Sequence, residues 1–310
     1  MTDTGLPTRT LGRTGLEVTT LGYGAMSLDD RFGRTVPAEE ATTVLNAVLD
    51  AGINFIDTSP DYGPSEEFIG QAIAHRRSEY VLATKVGCLV DVDPGATGHV
   101  YTPRNIRAAV EQSLRRMRTD VLDIVQFHGS PSREVLEENG SLDALEELRS
   151  EGKIRFIGSS GTIPNIEGQL AMGVFEEFQI PYSALQREHE ELITRAAGAG
   201  AGTVIRGGVA RGGPAEDKGW DVRRLPEVAP ERPRATWEQA GLDDLLDGMS
   251  RMEFMLRFTL SHPDLHTTIV GTANLDHLRA NCEVARKGPL PDEVYAEAKQ
   301  RLDAAEHGRA

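Results

Sequence analysis

The chain has 310 residues, with 33 Lys or Arg against 48 Asp or Glu, for a formal net charge of −15. So acidic a surface repels phosphate backbones and anionic lipid, which argues against nucleic-acid or membrane binding through a basic face. No apolar run approaches the roughly 18–20 residues of a bilayer span, and the polar N-terminal stretch lacks the apolar core of a secretion signal. Two cysteines, Cys88 and Cys282, are too few for a disulfide framework and make no metal-ligand spacing. A soluble, cytoplasmic, enzyme-sized globule is expected.

Eight short apolar stretches read as strands: 18–24, 53–57, 80–87, 121–128, 154–160, 175–180, 202–208 and 267–271. Between them lie helical patterns. Residues 37–51 and 103–117 each open on a proline, at Pro37 and Pro103, and Gly52 stops the first. Residues 142–151, 188–199, 252–261 and 275–286 continue the series, and 292–306 form a C-terminal extra helix. Strand–helix alternation predicts parallel strands with helical crossovers. Eight units in this length fit a closed (β/α)8 barrel, a TIM barrel. An open doubly wound sheet would carry G-x-G-x-x-G after its first strand, and GYGAMS (22–27) does not match.

Residues 211–250 break the rhythm, being rich in Pro, Gly and charge and following the seventh strand. In a barrel this insertion would hang over the C-terminal mouth within a single domain spanning 1–310. It holds both tryptophans, Trp220 and Trp237. They either pin the loop to the rim or wall an apolar pocket. The charged run 133–139 reads as a solvated face and, placed after strand four, as a candidate rim of the substrate pocket, and Cys88 reads as a small semi-buried thiol.

Strand ends supply the reactive groups. Asp57 closes the second, with Tyr62 five residues on; Lys85 lies near the end of the third, and His128 ends the fourth. A barrel brings these ends to one rim. A tyrosine with pKa about 10 is a poor acid near neutrality. A lysine ammonium beside it favours the phenolate, and an aspartate holds the lysine charged. A histidine can polarise the same oxygen by hydrogen bonding. The cluster suits proton transfer to a carbonyl.

With these residues in place the sequence resembles the aldo-keto reductase superfamily. FIDTSPDYG (55–63), ATKVG (83–87) and DIVQFHG (123–129) are similar to its signatures, in the family's order. TRTLGRTGLEVTTLGYG (8–24) resembles an N-terminal hairpin that plugs the barrel, and 147–160 and 267–285 resemble the segments at strand five and at the cofactor end. The resemblance implies an NAD(P)H-dependent carbonyl reductase with Asp57, Tyr62, Lys85 and His128 as catalytic residues. Tyr62 would be the general acid, with its pKa lowered by Lys85. Hydride would pass directly from cofactor to substrate, so neither metal nor covalent intermediate is needed.

The resemblance also implies cofactor positions. Gly24, Ala25 and Met26 follow strand one, and Asp57 lies nearby. Ser160 and Gln179 would hold the nicotinamide carboxamide. Gly161 stands where the family commonly has Asn or Arg, which removes one contact. Arg206 replaces an aromatic residue on strand seven, and its guanidinium plane can stack on the ring instead. Gly207, Gly208 and Val209 replace Ser-Pro-Leu, leaving backbone amides able to reach the pyrophosphate or the loop mobile; the first is favoured. At the adenine end stand Gly271, Ala273, His277 and Asn281, with Arg279 offset from the usual cation positions. NADP is the first expectation and NAD the alternative.

A small-molecule carbonyl reductase is therefore expected, acting on an aldehyde, ketone or sugar-like carbonyl. Two alternatives share the fold: a dehydrogenase of a sugar or secondary alcohol, and a cofactor-binding regulatory subunit in the manner of potassium-channel β subunits.

Overall fold

The computed structural model describes residues 5–29, 35–216 and 232–307. Eight parallel strands close into a barrel: β3 (Leu21–Gly24), β4 (Phe55–Asp57), β5 (Val81–Val86), β6 (Leu122–Phe127), β7 (Ile154–Ser160), β8 (Glu177–Pro181), β9 (Gly202–Arg206) and β10 (Thr267–Val270). Each pairs with its neighbour in sequence order, and β10 pairs with β3 to complete the ring. The expected (β/α)8 architecture is present. Around it run α1 (Ala38–Asp50), α3 (Pro103–Met117), α5 (Ser141–Ser150), α7 (Glu190–Gly198), α9 (Arg251–Leu260), α10 (Leu275–Lys287) and α11 (Asp292–His307). α3 shows why the sequence was readable here: Thr102 accepts from Asn105 N, Pro103 starts the first turn, and Arg118 leaves the helix with φ of 53°.

The first expected strand, 18–24, is in fact two. β1 (Thr8–Thr10) pairs antiparallel with β2 (Glu17–Thr19), and the chain then turns into β3. The break at Thr20 is fixed by hydrogen bonds to two elements, its N–H donating to Pro7 O and its carbonyl accepting from Thr268 N. The hairpin closes one end of the barrel. Leu11, Leu16 and Val18 pack with Phe55, Val81, Ala83, Ile124 and Val204 in one apolar cluster inside the ring. Gly12 permits this approach, since a Cβ there would lie 2.3 Å from Gly202 N.

Four helices escaped the sequence pattern: α2 (Ser65–Ala72), α4 (Arg133–Glu138), α6 (Asn165–Met172) and α8 (Arg232–Gln239). All are eight residues or shorter, too short for periodicity to show. α2 also carries Gly70 mid-helix, where a Cβ would meet Arg116 O at 2.0 Å, so tight packing rather than helix propensity chose the residue. α4 covers the charged run and is exposed except at Leu136 and, in part, Val135.

The 211–250 stretch is not one loop among its described residues. It contains α8 and a 3-10 turn, Leu242–Leu245. Trp237 is 0% exposed, stacks edge-on to Phe254 at 5.6 Å and donates from Nε1 to Asp243 Oδ1 at 2.9 Å. It therefore anchors the segment to the barrel. Trp220 lies outside the described residues.

The plug can be tested. Leu11 is fully buried, so Leu11→Ala is expected to cost about 2–5 kcal/mol in urea unfolding. The barrel's far rim, with its catalytic-type residues, should keep its ligand-binding behaviour.

Candidate active site

Parallel strands put all their C-terminal ends on one rim, and the register aligns the chemistry there. Gly24 pairs with Asp57, Lys85 with Gln126, Ser160 with Gln179, and Pro181 with Arg206. Lys85 is 0% and Asp57 2% exposed. The Lys85 ammonium donates to both Asp57 carboxylate oxygens and to Thr58 O, each at 2.8 Å. Three acceptors for three N–H groups is full satisfaction of a buried ammonium. Burial alone would favour the neutral amine, but Asp57 and Tyr62 reverse this and raise the lysine above its usual range.

Tyr62 reaches the same point from the turn after β4, where its N–H donates to Ser59 O. Its ring centroid is 5.0 Å from Lys85 Nζ and 6.0 Å from the His128 ring, which stands edge-on. His128 follows β6 and donates its backbone N–H to Val86 O, so β5 and β6 hold it jointly. The four expected catalytic residues thus come together. One expectation changes. The Tyr62 phenol lies above its ordinary range, because burial outweighs the downward pull of Lys85 and Arg206. The lysine limits the rise without overcoming it, and the phenol is protonated at neutral pH. His128 is pushed down to about 4, by burial first and with Lys85 and His99 adding to it against Asp61, so its imidazole is neutral.

The expected cofactor residues divide into two groups. On adjacent strand ends, Ser160 Oγ donates to Gln179 Oε1 at 2.9 Å, and Gln179 Nε2 donates to Asp57 Oδ1 at 2.8 Å. Arg206 ends β9 close enough to act on the Tyr62 charge. A hydroxyl, a carboxamide and a guanidinium in a row fit a nicotinamide amide and an anionic neighbour. Gly161 has a structural reason: a Cβ would lie 2.8 Å from Ser130 Oγ, so the Ser130 turn occupies the space a larger residue would need. Gly208 is likewise packed, 2.8 Å from Thr268 Oγ1 at the Cβ position, and its carbonyl accepts from Thr259 Oγ1. Gly207 has φ of 74° with no atom nearer than 4.0 Å to a Cβ, and Val209 is buried.

The second group surrounds the ends of β3 and β10. Ala25 and Met26 enter a 3-10 turn directly after Gly24. A Cβ on Gly271 would meet Gly24 O at 2.4 Å, so these two strand ends touch only because glycine is there. Ala273 precedes α10, and His277 and Asn281 lie on it, His277 exposed and Asn281 half-buried. Asn274 caps the helix through the N–H groups of Asp276 and His277. Arg279 is exposed and ion-paired to Asp276.

Several residues at the site were not read from the sequence. Asp61 and His99 flank the His128 ring together with Cys88, the thiol expected to be semi-buried, which is in fact buried. Tyr101 donates to His128 O at 2.6 Å and stacks on His99. Glu177, one layer inside Gln179 on β8, is fully buried against Gly158 and Gln126. Burial, reinforced by Asp57, raises its carboxyl well above the usual range. Gly87 and Gly129 were the available signals. Their absent Cβ atoms would lie 2.6 Å from Tyr101 and 2.5 Å from His99, and both glycines have positive φ.

A cluster of polar and titratable side chains on one rim of a closed barrel defines the (β/α)8 class and a candidate site. The model of the Aldo/keto reductase family matches residues 20–303, and the chain belongs to that family. It is 29% identical over 294 residues to the uncharacterized oxidoreductase YqkF of Bacillus subtilis, covering 92% of this chain and 93% of that one. It is 37% identical over 162 residues to L-galactose dehydrogenase of Arabidopsis thaliana, about half of each chain (49% and 48%). Among solved structures, the holo form of aldo-keto reductase AKR11C1 from Bacillus halodurans superposes with a TM-score of 0.80 at 30% identity over 96% of both chains.

The buried pair gives a sharp prediction. Lys85→Met leaves the Asp57 carboxylate unpaired and is expected to destabilise the fold by about 3–5 kcal/mol. Lys85→Met combined with Asp57→Leu removes both charges and should recover much of that loss in chemical denaturation. Equal losses in the single and double variants would show that the ion pair is not what the fold depends on there.

Proposed function

We propose that this chain is an NAD(P)H-dependent oxidoreductase of the cytoplasm that reduces an aldehyde, ketone or sugar-like carbonyl to the alcohol. The observation that carries the reading is the convergence of Asp57, Tyr62, Lys85 and His128 from three strand ends. A regulatory binding module has no evident need for a buried ammonium set against a phenol, so the enzyme reading is preferred to it.

When bound, the reduced nicotinamide supplies the hydride that becomes the new C–H bond at the carbonyl carbon. Tyr62 donates its phenolic proton to the carbonyl oxygen. Being protonated at neutral pH, the phenol is in the form an acid requires. As the proton leaves, Lys85 stabilises the phenolate, and Asp57 keeps the ammonium in place. The neutral His128 ring can orient the carbonyl by donating one N–H, without competing as a strong acid. The phenolate then recovers its proton from solvent. Ser160 and Gln179 would hold the nicotinamide amide, and Arg206 would lie against the ring or the neighbouring phosphates. Gly207 and Val209 would frame the pyrophosphate, while Ala273, His277 and Asn281 would face the adenosine.

NADPH is the cofactor we favour, with Arg279 as the cation for the 2′-phosphate once it releases Asp276. The similarity to a sugar dehydrogenase supports oxidation of a sugar hydroxyl as the second reading, for which Tyr62 would run as the base.

The test is a paired assay of NADPH and NADH oxidation over activated aldehydes and diketones. Tyr62→Phe is expected to lose about 100- to 10,000-fold in rate while still binding cofactor, and Arg279→Ala to weaken NADPH selectively. Unchanged turnover in Tyr62→Phe would overturn the assigned acid. Tight cofactor binding with no reduction by wild type, but oxidation of sugars, would favour the second reading.

A further inference from the structure

Beside the tetrad lies a second set of converging donors. Asp61 comes from the turn after β4, Cys88 from just past β5, His99 from the segment before α3, and His128 from the end of β6. Their donor atoms all lie within 4.8 Å of one another. Asp61 Oδ2 is 3.4 Å from both His99 Nε2 and His128 Nδ1, and Cys88 Sγ is 3.4 Å from His128 Nδ1.

As a hydrogen-bond cluster this is a loose arrangement. Nitrogen–oxygen hydrogen bonds centre near 2.9–3.0 Å, and neither imidazole comes that close to the carboxylate. As a coordination shell the spacing is apt. A tetrahedron with metal–ligand bonds of about 2.0–2.3 Å has edges of about 3.3–3.8 Å. Three of the six donor–donor distances, each 3.4 Å, already match edges of such a figure, and the rest, within 4.8 Å, need only a small contraction.

We propose that Asp61, Cys88, His99 and His128 form a site for one tetrahedral divalent cation, zinc by preference. One thiolate, two imidazoles and a carboxylate are a zinc-type donor set, too soft for magnesium or calcium. The charges balance: carboxylate and thiolate supply −2 against the cation, and the thiol proton leaves to solvent as the metal binds. Backbone geometry serves the convergence. Gly129 leaves room for the His99 ring, Gly87 for Tyr101, and Tyr101 in turn stacks on His99 and donates to His128 O. Asp61, His99 and His128 are partly exposed, while Cys88 is buried. The linear sequence hides the set, since its members are 11 to 67 residues apart from one another and come from four segments.

The cation would tie these four segments together at the edge of the carbonyl site. It would also commit His128 through Nδ1, leaving Nε2 as the N–H that faces outward. That second consequence bears on the proposed reductase. The site itself stands or falls on metal uptake, whatever the chain's activity.

The experiment is a Co2+ titration of untagged, chelator-stripped protein, followed by displacement with Zn2+. Wild type is expected to bind one Co2+ per chain, with the visible bands of tetrahedral cobalt and a thiolate-to-cobalt charge-transfer band in the near ultraviolet. Cys88→Ser should lose the charge-transfer band, and His99→Gln should weaken binding at least about tenfold. Zn2+ should raise Tm in wild type and in neither variant. Circular dichroism of the variants separates a lost site from a lost fold. Absence of the tetrahedral spectrum in wild type would overturn the proposal without reference to any variant. So would uptake of several ions that both substitutions leave unchanged, as adventitious surface binding would give.

Discussion

A buried ammonium and a buried carboxylate facing each other inside the barrel constrain most of what surrounds them. Neither Lys85 nor Asp57 could remain charged there alone, since an unpaired ion in a low-dielectric interior neutralises or unfolds its surroundings. Each therefore depends on the strand register that puts β4 beside β5. The remaining hydrogen-bond capacity of the pair is taken up by Thr58 O and by Gln179 Nε2. Gln179 in turn accepts from Ser160. One continuous polar chain thus crosses from β7 through β8 to β4 and β5, spanning the barrel interior. It can be complete only if the barrel is closed. Fold and site are coupled through this chain, and Tyr62 inherits its electrostatic surroundings from it.

That coupling also explains which features were legible beforehand. Asp57, Lys85 and His128 close or nearly close apolar stretches, and a parallel barrel brings such ends to one rim, so strand pattern and residue type sufficed for them. The long helices were legible through capping and periodicity, as at Thr102–Pro103. Short elements were not. α2 and α6 have eight residues each, and the rule that chose Gly70 was contact with Arg116 O, which no periodicity encodes. The strand expected over 18–24 breaks because Thr20 bonds to both Pro7 and Thr268, a tertiary demand on a locally unremarkable residue.

Asp61 and His99, beside the His128 ring, were missed for a related reason. Asp61 sits inside the stretch quoted for Tyr62, yet its role depends on His99, which lies in a Gly- and Asp-rich connection with no pattern of its own. What carries that connection back to the site is space. Gly87 and Gly129 have positive φ and abut aromatic rings where a Cβ would collide. Similar logic makes sense of Gly161, whose smallness removes an expected contact yet admits the Ser130 turn. Glycines beside functional strands carried information about approach distances that their lack of chemistry concealed.

The two nitrogens of His128 show how the parts fit. Nδ1 faces Asp61 and Cys88, so it is engaged inside the protein. Whatever bonds Nδ1 determines the state of Nε2, because a neutral imidazole has one donor and one acceptor nitrogen. If Nδ1–H donates to the Asp61 carboxylate, Nε2 is left as an acceptor and cannot polarise a carbonyl. If Nδ1 instead accepts from the Cys88 thiol, or ligates a cation, Nε2 carries the proton and can donate. Burial and the nearby Lys85 ammonium disfavour the doubly protonated ring that would avoid the choice. The Asp61–Cys88–His99 surroundings therefore act on substrate chemistry through a tautomer. In this chain the partners on the hidden side of the histidine matter as much as the face it presents.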